Sequence, residues 1–333
     1  MRAARTVVSL ATAMLSASAA GCMGGGDDTV SAAAAVSSDA GAPDVSADVV
    51  QESATVTAAS ADHAEPSAAP PPVAGIRVAN WSPDAPAIDL CVAPHGTTAF
   101  RGPMLGSLVG QGDDAGVAAL PFPYASAYSY VSPGQYDARL VVAGASNCAA
   151  GIGADVTNLP ALDADGYATI ALIGDANPAA GAPGLQLVGF PDDAYASSGA
   201  ALRFINAAPV ASLALADFGE LSDTKFVPLF LAVHFGQASN APEAMVADAA
   251  SGPVDPNGYT SIGALSDATL SLRARNGATD LAVANNVNIA AGAIVTVVAV
   301  GPSELVECVD NAGTLSYLGA CGVISGGGDA GGL

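Results

Sequence analysis

Residues 76–92 read IRVANWSPDAPAIDLCV and residues 202–218 read LRFINAAPVASLALADF. Each opens on an apolar residue, an Arg, two apolar residues and an Asn, and each carries a Pro six positions after the Arg. Arg77 and Asn80 thus answer to Arg203 and Asn206 at a displacement of 126 residues. Short apolar runs closed by turn formers predict β-strands. Side chains alternate between faces along a strand, so Ile76 and Val78 fall on one side and Arg77 and Ala79 on the other. In the first copy the following turn is WSPDAP, with two prolines of fixed φ and Asp84 available to cap free amides. In the second it is AAPVAS, without the acid or the indole.

The similarity continues downstream. LDADGYATIALIGD at 162–175 lies over IAAGAIVTVVAVGP at 289–302, a displacement of 127. LQLVG at 185–189 lies over LSYLG at 315–319, a displacement of 130. A shift so nearly constant predicts two tandem domains, at 76–193 and 200–322. In the first, strands are expected at 76–80, 87–93, 128–131, 135–143, 154–158, 167–173 and 184–189. Many short strands at regular spacing predict an all-β chain of two immunoglobulin-like β-sandwiches. A Gly-rich tail follows at 323–333.

Composition narrows the partners. The chain has 31 acidic residues against 9 basic ones. Such a surface repels phosphate backbones, which argues against nucleic acid as a partner. No glycine-rich phosphate loop sits between a strand and a helix, so no nucleotide and no other cofactor is expected. Residues 22–75 are rich in Ala, Ser, Asp and Pro with no lasting hydrophobic period. They predict a disordered tether spanning about 40 Å as a random coil.

The opening MRAART is basic, and VVSLATAMLSASAAG is apolar but too short to cross a bilayer. It ends at Ala19-Ala20-Gly21-Cys22, which resembles a bacterial lipobox, with Ala19 where a larger aliphatic residue is usual. The resemblance implies a signal peptide at 1–21 and a lipid anchor on Cys22 that binds the protein to a membrane. Met23 rather than Asp follows Cys22. By analogy with Gram-negative lipoproteins, this implies the outer membrane.

IRVANWSPDAPAIDLCV also resembles the start of the bacterial domain of unknown function 4397. PGQYDARLVVAG at 133–144 and GYATIALIG at 166–174 resemble its later strands. The resemblance covers most of 76–190 and, more faintly, 202–320. It implies exported β-rich proteins, often with tandem copies, and no established activity.

Four cysteines besides Cys22 allow three pairings. Cys91 and Cys148 lie in one copy, Cys308 and Cys321 in the other, so two bridges form without crossing between domains. Export makes bridges the expectation, and the spacings suit neither a metal site nor a redox motif.

Catalytic residues are not expected. His95 lies in a turn and His234 on a strand, no GxSxG elbow is present, and no two histidines have zinc-binding spacing. Asp163 and Asp165, in DADG, are candidate calcium ligands, although Gly174 stands where a calcium loop needs Glu. The same residues serve as turn formers. Asp113-Asp114 and Asp192-Asp193 read as loop tips. Trp81, Asp84 and Asp89 are candidate ligand-binding residues, Trp81 through ring stacking. Arg77 and Arg203 are expected to pair with an acid such as Asp89. The sequence thus predicts a lipid-anchored, non-enzymatic envelope protein that binds a protein or glycan. The alternatives are a hydrolase with loop-borne catalytic residues and a purely structural envelope component.

Overall fold

The computed structural model describes residues 72–105, 120–157, 159–193, 199–242, 244–246, 252–310 and 321–325. The leader with Cys22, the tether up to residue 71, Asp113-Asp114, LSYLG and the last eight residues lie outside them.

The first half holds β1 (Ala74–Asn80), β2 (Ile88–Pro94), β3 (Ser129–Val131), β4 (Tyr136–Val142), β5 (Tyr167–Ile173) and β6 (Gln186–Pro191). Of the strand expected at 154–158, the described residues 154–157 form none, and Val156 makes an isolated bridge to Ala138. The second half holds β7 (Ala200–Asn206), β8 (Leu215–Ser222), β9 (Lys225–His234), β10 (Gln237–Ala238), β11 (Met245–Val246) and β12 (Thr260–Ile262). It continues with β13 (Leu265–Ala274), β14 (Asp280–Ile289), β15 (Ile294–Ala299), β16 (Leu305–Val309) and β17 (Cys321–Val323).

Four sheets form a stack. A β2–β4 pair faces the sheet β3-β1-β5-β6, and the sheet β10-β7-β15-β16-β17, joined by β12, faces β11-β9-β8-β13-β14. Ile76, Val78, Leu90 and Leu140 fill the first sandwich, and Leu202, Phe204, Phe218 and Leu270 the second. A third core lies between the two inner sheets. Ala79, Trp81, Ala171, Ile173 and Phe190 meet Ile205, Val298, Val300 and Val306 there. The described residues belong to one compact unit.

The shared core explains the strongest sequence signal. All seven residues of β1 and all seven of β7 are buried, because each strand has a sandwich core on one face and the junction on the other. Each also pairs in parallel with a later strand, β1 with β5 and β7 with β15. Parallel strands buried on both faces read as near-continuous apolar runs. The pairings match residue for residue: Arg77 lies opposite Thr169, and Arg203 opposite Thr296.

Asn80 and Asn206 end these strands in the same way. Each buried side-chain amide donates to two carbonyls, of Pro86 and Leu120 in one case and of Leu213 and Val233 in the other. Each Asn Oδ1 accepts the amide two residues on, at Ser82 and Ala208. A buried amide must be satisfied, and this side chain meets the requirement inside a turn.

One alignment changes. The strand answering to β6 is β16, since β6 pairs antiparallel with β5 and β16 with β15. Val188 lies opposite Ala171 and Val306 opposite Val298, so the displacement falls to 306 − 188 = 118. The cause is the connection, which runs over 174–185 in the first half and only over 300–304 in the second.

Disulfides join Cys91 to Cys148 and Cys308 to Cys321. The first fastens β2 to the loop after β4, and the second joins directly opposed residues of β16 and β17. With separations of 57 and 13 residues, loop-closure entropy assigns them about 4 and about 3 kcal/mol. The Cys91→Ala/Cys148→Ala variant is therefore expected to lose more stability than Cys308→Ala/Cys321→Ala in urea titrations. The reverse order contradicts the entropic account.

Candidate functional site

The face of β1 that carries Arg77 is turned toward the second half, not toward Asp89. Asp89 lies on the far side of β2, where its Oδ1 accepts the amides of Leu90 at 2.6 Å and Leu105 at 2.8 Å. The expected Arg77–Asp89 pair does not form, because a sandwich core separates them. Arg77 donates from Nε to Thr169 Oγ1 at 2.7 Å and from Nη2 to Asp310. Arg203 donates from Nε to Thr296 Oγ1 at 3.0 Å and from Nη2 to Asp192 at 2.6 Å. Each arginine thus crosses the junction to a carboxylate of the other half.

The acids are held by their own halves. Thr169 and Tyr128 donate to Asp192 at 2.5 and 2.8 Å, and Thr296 and Tyr259 donate to Asp310 at 2.5 and 2.7 Å. The guanidinium carbons lie 4.9 Å from the Tyr128 ring and 4.4 Å from the Tyr259 ring. Asp192 is therefore no loop tip but a buried anchor. Burial works against the charges of Arg77, Arg203 and Asp192, yet their partners outweigh it. Arg77 is raised well above its usual range by Tyr128, Asp310 and Asp192 against that burial. Asp192 is held below the usual carboxylate range by Arg77, Arg203 and Thr169, again against burial. Burial pushes both Tyr128 and Tyr259 well up, so they remain neutral donors.

The proposed ligand contacts fall elsewhere. Trp81 is 0 % exposed, packed in the shared core with its ring 6.3 Å from Phe190. It offers no face to a ligand. Its apolar bulk sits where the two inner sheets close, and Nε1 has no hydrogen-bond partner there. Asp84 is exposed but engaged, accepting the amides of Ala176 at 2.6 Å and Asn177 at 3.0 Å. Those bonds hold it below the usual range, the one from Ala176 most strongly and against what burial there is. They fasten the 174–185 connection, the segment that the second half shortens. This accounts for AAPVAS lacking the acid.

Asp163 and Asp165 stand in the turn before β5. Asp163 accepts the Gly166 amide through its carbonyl, and Asp165 has a φ of 61°. Among the described residues no group of three His, Cys, Asp or Glu side chains is placed to hold a metal ion. That turn lies instead beside a row of aromatic residues. Tyr130, Gly75 and Tyr167 are neighbours across β3, β1 and β5. A Cβ on Gly75 would overlap the Tyr167 ring, so only glycine lets that ring lie over β1. Tyr167 packs edge-on against Tyr128 at 5.0 Å, and Tyr130 is 67 % exposed. Asp193 accepts the Tyr167 amide at 2.8 Å. Burial, then Tyr130, Asp165 and Asp193, raise the Tyr167 phenol. This edge was not legible in the sequence. Only strand register brings Tyr130 and Tyr167 together with two acidic turns.

The His95 side chain is 46 % exposed and hydrogen-bonds buried Asp137, Nδ1 to Oδ1 2.7 Å apart. The second oxygen of Asp137 accepts the Gly96 amide at 3.0 Å.

The fold is all-β, built of facing sheets. A domain of the family described as "Domain of unknown function (DUF4397)" is found at residues 74–213, which take in the first half and the opening of the second. No curated protein matches the chain. Among solved structures, the chain is similar to CBMbc (family CBM26) from Eubacterium rectale Amy13K, crystallised with maltoheptaose. The TM-score is 0.16 at 10% identity, over 77% of this chain and 98% of that one.

Two predictions follow from the buried charges. Asp310→Asn or Asp192→Asn leaves an arginine uncompensated and is expected to cost about 3–5 kcal/mol in chemical denaturation. A loss below 1 kcal/mol would show that the crossed pairs are not buried. The second concerns pH. Asp192, with its depressed value, contributes stability above an unfolded pKa of about 3.9, lost as pH falls through the folded value. Glu307 on β16 is pushed up by burial to about 7, so its contribution is full below about 4.3 and disappears as pH rises through 7. Urea midpoints are expected to be highest near pH 4, falling as pH drops below it and falling again as pH rises from about 4.3 to about 7. Glu307→Gln should abolish the fall between about pH 4.3 and about 7 alone.

Proposed function

We propose that this is an exported, lipid-anchored binding protein of the bacterial cell envelope, recognising a protein or glycan rather than catalysing a reaction. On this reading residues 1–21 are a signal peptide, Cys22 carries the lipid at the outer membrane and 22–75 form the tether. The domains are 76–193 and 200–322, the second a divergent copy of the first. The two disulfides support a location outside the reducing cytoplasm. No helix among the described residues is long and apolar enough to cross a membrane. The matching register of β1–β5 and β7–β15 supports the duplication.

The observation that carries the binding reading is the tyrosine edge where Tyr130 is exposed and Tyr167 half-buried, flanked by acids at the rim of the sheets. Exposed aromatic rings beside hydrogen-bonding groups are the usual material of recognition surfaces. The test is retention of the purified full-length protein on separated envelope proteins, peptidoglycan and surface polysaccharide. Retention by one fraction that urea-unfolded protein does not show is expected. No retention by any fraction overturns the reading. Cys22→Ser is expected to move the protein from the membrane to the soluble fraction, and a variant that stays membrane-bound removes the anchor.

The His95–Asp137 pair favours a second reading, a hydrolase. A carboxylate behind a half-exposed imidazole orients it as a general base. Turnover of an activated ester such as p-nitrophenyl acetate that His95→Ala abolishes would establish it, and equal rates for both proteins would dismiss it.

A further inference from the structure

Four arginines in this protein are held in the same way. Arg77 and Arg203 stack on Tyr128 and Tyr259, Arg139 on Phe100 at 4.1 Å and Arg273 on Phe226 at 4.2 Å. Each is also paired with a carboxylate: Asp310, Asp192, Asp155 and Asp280 respectively. A planar guanidinium suits both partners at once, lying flat on a ring while its edge donates to an acid.

The edge at Tyr130 and Tyr167 presents the same two parts without the third. Tyr130 is 67 % exposed, and Tyr167 lies over Gly75 with its ring steadied by Tyr128. Asp163 and Asp165 are exposed in the adjoining turn, and Asp193 is partly so. The chain has 9 Lys and Arg in all. Five are ion-paired elsewhere, namely Arg77, Arg139, Arg203, Arg273 and Arg275, and no described basic residue is ion-paired with Asp163, Asp165 or Asp193.

We propose that the Tyr130–Tyr167 edge docks an arginine side chain of a partner protein, stacked on tyrosine and paired with the carboxylates of Asp165 and Asp193. The inference rests on the binding reading above and gives that site its ligand chemistry. Charge complementarity decides the occupant. An anionic partner is repelled by the acids here and by the 31-to-9 excess of acidic residues in the chain. A neutral sugar leaves the carboxylates unneutralised. Arginine is favoured over lysine because its weakly hydrated, planar head stacks and pairs together.

The probe is a short end-capped peptide uncharged apart from one central arginine, compared with its lysine and citrulline counterparts. Each is titrated calorimetrically against the full-length protein at low and physiological salt. The arginine peptide is expected to bind most tightly. Tyr130→Ala should weaken it about two- to five-fold, the size of an exposed cation–π contact, while Tyr130→Phe retains it. Asp165→Asn should weaken it more than Asp223→Asn does, although both remove one exposed acid at a positive-φ turn position. Equal effects of the two Asp variants, or lysine binding as well as arginine, would reduce the interaction to general attraction by an acidic protein and overturn the proposal. So would indifference to Tyr130→Ala. Retention on an envelope fraction that survives Tyr130→Ala sinks this site but leaves the binding reading standing, whereas failure of the unaltered protein to be retained by any fraction sinks that reading itself.

Discussion

Arg77 and Arg203 cross one another between the two inner sheets, each reaching the acid that the opposite half holds in place. Most of the architecture depends on that exchange. A buried guanidinium with no partner costs several kcal/mol, so neither half can bury this face against a surface that lacks the matching acid. Around the charges, Trp81, Phe190, Ile205 and Val298 exclude solvent and so raise the strength of every ionic contact they enclose. The apolar shell and the ionic centre therefore depend on each other.

The exchange is reciprocal, and this shapes what the rest of the chain is free to do. With Thr169, Tyr128 and Asp192 on one side and Thr296, Tyr259 and Asp310 on the other, the inner faces are occupied. Chemistry available to a partner is confined to the outer sheets and to the rim. The rim is where Tyr130 and Tyr167 emerge, as the junction row of Tyr128, Arg77 and Thr169 gives way to the row that contains Gly75. Gly75, the second residue of β1, leaves room for an aromatic ring at the surface.

Asp84 shows how a turn can be made specific by a contact within its own chain. Its two carboxylate oxygens hold the amides at 176 and 177, and where that connection shortens, the acid is missing. The SPDAP turn resembles a recognition motif because it is polar and well defined. Its definition comes from a contact with its own chain, about ninety residues away.

Local sequence carried most strands of the first half, the near-repeat and the export-type cysteine usage. These rest on local physics: alternation along a strand, turn residues with restricted φ, and apolar runs that need two-sided burial. Of the residues singled out as candidate contacts, Trp81 went to the junction core, Asp89 to the outer face of β2 and Asp84 to a loop clamp. Asp163 and Asp165 fell beside an aromatic edge that no local pattern announces. Tertiary structure alone decided that the two Arg-bearing faces meet, that Asp192 and Asp310 are buried partners, and that β16 lies beside β15 as β6 lies beside β5. The physical reason is that pairing across a junction depends on the packing of whole sheets, and residues separated by 233 positions, as Arg77 and Asp310 are, leave no trace of their contact in either neighbourhood.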